Sequence, residues 1–185
     1  MKVSRKELRE THQAHVWEKL FKKLGLKTEV SYTPFDFADA KKTDAIGFVP
    51  GSANTPEKRY PASQWRELAQ LLKKSVVLFG APAEKMIGDE ISQGLTNVTD
   101  KIGQTDLAGL AAEISKCSLV VGNDTGAMHL ANALGVPTLV IYGPTSPTVT
   151  RPIFAAPYHH LKAPQGAPIG SVTPAEVLEK IREIE

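Results

Sequence analysis

The chain has one cysteine, no long apolar run and almost no excess charge, and each shortage closes off a class of function. A lone thiol, Cys117, cannot form an internal disulfide; beside an apolar run it reads as a small core residue, in a chain suited to a reducing compartment. No stretch approaches the ~20 apolar residues of a membrane-spanning helix. No apolar signal region follows Met1-Lys-Val-Ser-Arg, so nothing predicts export. Lys and Arg total 22 against 20 acids, a formal net charge of +2, too slight to predict nucleic-acid binding. The basic residues of the N-terminal segment, from Lys2 to Lys27, read as a solvated helix face, with an anionic membrane surface as the alternative. No His, Cys and carboxylate spacing suits a metal, His159-His160 included, and no Ser-His-Asp set or catalytic acid pair stands out.

What is present is alternation. A length of 185 residues suits one domain. Residues 5–24 are predicted helical, with Trp17, Leu20, Phe21 and Leu24 on one stripe and Gly25 as the stop. Residues 28–43 read as an extended connection. From there strands are predicted at 45–49, 76–79, 96–98, 119–121 and 138–141, and helices at 62–73, 83–93 and 106–115, the last with Leu107, Leu110, Ala111 and Ile114 inward. Residues 143–171 read as a long loop, and Thr173-Pro-Ala-Glu176 as a capping box opening a final helix. The expectation is an α/β fold, a Rossmann-like parallel sheet with helices on both faces, over 45–185, preceded by an N-terminal helix and connecting segment over 1–44.

In such sheets ligands bind beyond the carboxyl ends of the strands. Polar or glycine-rich loops fall there at 50–58, 80–84, 122–126 and 142–147. The most informative stretch runs from Ser118 to Thr145: strand, polar turn, helix, stop at Gly135 and Pro137, strand. Its helix begins straight from a strand end, so free backbone N–H groups and the positive dipole end make an anion site at Thr125 and Gly126. Asn123 and Asp124 are candidate caps for that helix.

Asn123-Asp-Thr-Gly-Ala-Met-His129 with Tyr142-Gly-Pro-Thr-Ser-Pro147 resembles the donor-side motif of the lipopolysaccharide heptosyltransferases, glycosyltransferase family 9. Pro50-Gly-Ser52, Lys58-Arg-Tyr-Pro61, Trp65 and Val172–Leu178 also fit, so the likeness runs from about residue 45 to the end. That family has two Rossmann-like halves, the GT-B arrangement, and this chain matches the C-terminal, donor-binding half. The resemblance implies an ADP-heptose donor, inverting transfer of heptose to a lipopolysaccharide core acceptor, no cofactor, and a base and acceptor site on an N-terminal domain or partner chain. It places the enzyme in the cytoplasm, with the inner face of the inner membrane as a further expected contact. The alternatives are a non-catalytic nucleotide-sugar-binding module, a subunit of a split glycosyltransferase, and an epimerase of similar shape.

By that resemblance Lys58 offers charge to the diphosphate, where otherwise it is a surface lysine. Ser52 adds a hydroxyl. Asp124, which a phosphate would repel, holds sugar hydroxyls or merely caps the helix. Glu84 reaches the ribose or is a solvated acid at a helix start. Thr105 lines the base pocket through its backbone. His129, on the same helical face as Thr125, meets the phosphate region, supports the loop or simply packs. No catalytic residue is assigned.

Overall fold

The apolar runs become short strands because each is too brief for a helix and is closed by a turn. The computed structural model describes residues 9–27, 29–35, 40–52 and 55–185. The strands are β1 (Ile46–Val49), β2 (Val76–Leu78), β3 (Val98–Asp100), β4 (Leu119–Asn123), β5 (Thr138–Tyr142) and β6 (Tyr158–Lys162). They form one sheet in the order β3-β2-β1-β4-β5-β6, every neighbouring pair parallel. The helices are α1 (Gln13–Lys23), α2 (Ala62–Leu71), α3 (Lys85–Ser92), α4 (Leu107–Ile114), α5 (Gly126–Ala133), the single turn α6 (Pro147–Thr150) and α7 (Pro174–Ile184).

Alternate strand residues feed two apolar layers, as the pleat requires. Ile46, Phe48, Leu119, Val121, Leu139 and Ile141 pack with Trp65 and Leu68 of α2, Ile91 of α3, and Val177 and Ile181 of α7. Val49, Val120, Val140 and Tyr142 pack with Ile114 of α4 and Met128 and Ala131 of α5. Helices therefore cover both faces. Cys117 lies in the second layer, only 2% exposed, and burial pushes its thiol up to about 11, so it is a core residue. Gly25 and Gly135 end α1 and α5 at φ +77° and +72°, a left-handed conformation in which a Cβ is strained. The capping box holds: Thr173 N–H donates to the Glu176 carboxylate, and Glu176 N–H to Thr173 Oγ1.

Several expectations need correction. The predicted loop 143–171 contains α6, β6 and a 3-10 turn at Ile169–Ser171. β6, Tyr-His-His-Leu-Lys, lacks an apolar run because it is an edge strand with only one neighbour. The predicted strand 96–98 lies at Val98–Asp100, and the helix 83–93 starts with a 3-10 turn, Pro82–Glu84, before α3. Leu107 is 73% exposed, because it is the first residue of α4 and does not reach the core. Residues 5–8 of the predicted first helix lie outside the described residues. In α1 the buried residue is Val16, whereas Trp17, Phe21 and Leu24 are exposed. The segment is tied to the sheet domain by His12 Nε2 on the Arg151 carbonyl (2.8 Å), by Phe35 N–H on the Ala133 carbonyl, and by Ala155 N–H on the Tyr32 carbonyl.

Candidate nucleotide-sugar site

The chain lays β1, β2 and β3 in one direction, then crosses back to lay β4, β5 and β6 in the other. The loops after β1 and β4 therefore part, leaving a crevice at the topological switch point. Asn123 fastens them. It is fully buried; its Nδ2 donates to the Pro50 carbonyl (2.7 Å) and the Gly51 carbonyl (3.2 Å), and its Oδ1 accepts from Tyr60 N–H (3.1 Å). It is not a helix cap. As the last residue of β4 it points sideways at the neighbouring strand's loop, and the N-cap of α5 is Thr125, which makes no side-chain capping bond.

Asp124 does not cap α5 either. Its Oδ2 accepts from Lys58 Nζ (3.1 Å) and from Thr150 Oγ1 (3.1 Å). Lys58 ends the 3-10 turn Pro56–Lys58, which starts at a proline and aims its side chain across the crevice. Side-chain exposures of 22% for Lys58 and 6% for Asp124 make this a half-buried ion pair, in which screening by water is reduced. Lys58 is thus not a loose surface lysine.

A cavity of about 390 Å³ opens between the ends of β1 and β2 and the starts of α4 and α5. Ser52, Glu84, Thr105 and Thr125 line it, with Val49, Phe79, Leu110 and Ala127 as apolar wall. Glu84 Oε2 accepts from Ala81 N–H (2.8 Å), so the carboxylate turns back over the glycines. A Cβ on Gly51 would stand 1.9 Å from Glu84 Oε1 and one on Gly80 2.7 Å from Oε2. Thr125 Oγ1 is shut off from solvent with no hydrogen-bond partner among the described residues, an unused donor and acceptor at the start of α5. Gly126 is exposed, and a Cβ there would meet nothing within 4 Å, so its backbone is open to approach.

Of the eight predicted residues, four line the cavity, and Lys58, Asp124 and Gly126 border it. His129 sits one turn into α5, half-buried. Burial holds its imidazole below the ordinary histidine range, against the pull of Asp124, so it is neutral at neutral pH. Nothing in the sequence singles out Thr150, the second partner of Asp124; it lies 26 residues away in a turn with no local signal of its role. Among the described residues no group of three or more His, Cys, Asp or Glu is placed to hold a metal, and no helix is long and apolar enough to cross a membrane.

Comparison with known proteins bears on this crevice directly. Residues 8–167 match the pattern of glycosyltransferase family 9 (heptosyltransferase). The chain belongs to glycosyltransferase family 9. It is 33% identical over 177 residues to lipopolysaccharide heptosyltransferase 2 of Escherichia coli, covering 84% of this chain and 51% of that protein. It is 38% identical over 116 residues to lipooligosaccharide heptosyltransferase 2 of Haemophilus influenzae, 58% of this chain and 34% of that one. The solved structure of E. coli heptosyltransferase WaaC with ADP superposes at TM-score 0.75 and 26% identity, over 96% of this chain and 58% of that one. The chain thus spans about half, or less, of the curated relatives it matches.

Proposed function

We propose that this chain is the donor-binding half of a heptosyltransferase, holding ADP-heptose for transfer to a lipopolysaccharide core. The observation that carries the reading is the cavity at the switch point, which ends at Thr125 and the open N-terminus of α5 and is flanked by the Lys58–Asp124 pair. The apolar wall accepts a base, and Glu84 a ribose hydroxyl. The helix N-terminus, with Lys58, meets the diphosphate. The dipole alone supplies only ~0.3–1 kcal/mol at an exposed site, so the lysine is needed. When phosphate oxygens draw the Lys58 ammonium, Asp124 keeps Thr150 and gains capacity to accept from a sugar hydroxyl. The same groups meet the charge that grows on the diphosphate as it leaves. No cofactor is invoked. Attack needs an acceptor hydroxyl and a general base near the sugar carbon, which we assign to an N-terminal domain or partner chain acting at the cytoplasmic face of the inner membrane. The exposed stripe of Trp17, Phe21 and Leu24 supports such a neighbour.

Calorimetric titration with ADP and UDP tests the donor site. Weak ADP binding is expected, since half a cleft buries only part of the ligand. A folded protein that gives no ADP signal at millimolar concentration defeats the reading. Lys58→Ala is expected to weaken ADP about tenfold and to cost about 1–2 kcal/mol of stability, because it strands the Asp124 carboxylate. With an N-terminal half supplied, Asp124→Ala should cut heptosyl transfer more than ADP affinity, because ADP lacks the sugar. Equal losses would remove the sugar role.

A further inference from the structure

The edge strand that the sequence concealed carries a second constellation. Tyr158, His160 and Lys162 alternate onto one face of β6. That face, α6 and the start of α1 enclose a separate cavity of about 770 Å³, to which Arg151, His12 and His15 also contribute. Among the described residues its lining carries Arg151 and Lys162 against one carboxylate, Glu10. The Arg151 guanidinium is exposed and makes no ion pair among the described residues. Lys162 Nζ donates to the Gly143 and Thr145 carbonyls, which fixes the ammonium and leaves a third N–H. The His160 ring is held flat on Tyr158 (5.6 Å, 18°) and edge-on to Tyr142 (6.0 Å). His12 spans the cavity floor to the Arg151 carbonyl, and His15 leans on Glu18. Two cations, Arg151 just after α6 and Lys162 on β6, thus line one opening with the stacked His160 imidazole.

We propose that this cavity is an oxyanion site, taking the carboxylate or phosphate group of a ligand that lies beside the Asp124 crevice. The placement is direct: Thr150, which donates to Asp124, immediately precedes Arg151. The anion site stands on its own geometry. A planar guanidinium matches either oxyanion through paired N–H groups. The neighbours of His160 add a means of detection. Burial, with Lys162, Lys180 and Arg151, holds its imidazole below the ordinary range, and an anion in the cavity offsets those charges.

Inorganic phosphate and glucuronate are the probes, with the His160 ring followed by NMR across a pH series. One or both should bind in the millimolar range and raise the His160 pKa by about half a unit. Arg151→Gln, at an exposed position, should weaken binding about fivefold. Preference for phosphate assigns a phosphorylated ligand and preference for glucuronate a sugar acid; either supports the site. No movement of His160 with either probe at about 20 mM overturns it. So does a response that Arg151→Gln leaves unchanged. If ADP fails to bind while phosphate still moves His160, the donor reading falls and the oxyanion site stands.

Discussion

Thr125, beside Asp124, lines one cavity, and Arg151, beside the Asp124 partner Thr150, lines another; the two are built in opposite ways. The one between β1, β2 and α5 is walled by strand ends, with Gly51 and Gly80 under the Glu84 carboxylate and Asn123 fastening the loops. The one beside β6 is walled by long side chains, Arg151 and Lys162 foremost, that reach in from the surface. A wall of backbone is set by the fold and tolerates little change. A wall of side chains can be altered residue by residue with the fold intact. The first should therefore lose stability or shape together with binding, and the second should lose binding alone.

The strongest test removes the fastener. Asn123→Ala would strip partners from two carbonyls and one N–H in a fully buried setting. With about 1–3 kcal/mol for each buried polar group left unmade, and some relaxation, a loss of about 3–4 kcal/mol is expected, together with ADP binding. Chemical denaturation and calorimetry on the same variant measure both. A variant as stable as the parent would mean that the loops are held by something other than this side chain.

A subtler change alters shape without unfastening anything. Gly51→Ala places a methyl 1.9 Å from Glu84 Oε1, the far end of a flexible side chain. Glu84 can swing away, so stability should stay within about 1 kcal/mol of the parent while ADP affinity falls about tenfold. Glu84→Ala supplies the control. If the glycine matters only by seating that carboxylate, the double variant should bind no worse than Glu84→Ala alone. A further loss would show that the ligand itself needs the space above Gly51.

The sheet was legible where its strands are buried on both faces, because such runs are apolar throughout: β1, β4 and β5 fall within a residue or two of expectation. β6 was not, because an edge strand lined by a cavity carries Tyr, His and Lys. The crevice was legible from topology, since strand ends collect loops. Which side chains pair within it was not. Asn123 and Asp124 sit at capping positions, and local spacing favours a cap, but their partners are 63 to 73 residues away for Asn123 and 66 and 26 away for Asp124. The stripe on α1 was legible as amphipathic, yet periodicity alone does not say which face is covered, and Val16 is the residue buried.

The smallest effect joins the two cavities through pH. His129 feels Asp124 and Lys58 from the first crevice and His12 from the second cavity. Burial lowers its folded pKa below the reference value of 6.5, so between the two the unfolded chain binds more protons than the folded one. Stability then rises with pH through that window and is lost as pH falls from about 6.5 downward. His160 has the same sign. Glu18, Glu113 and Glu176, each lowered from 4.5 by hydrogen bonds, lose their contribution only further down, below the histidine window. The melting temperature should therefore drop between about pH 7 and 5.5, with a slope below the ~1.4 kcal/mol per pH unit of one fully transferred proton. His129→Gln should flatten part of that slope and leave the His160 share, which inorganic phosphate would then diminish if the second cavity holds an oxyanion. A His129→Gln variant with the parent's full slope would show that the proton is taken up elsewhere, and that the imidazole at the junction plays no part in linking the two sites.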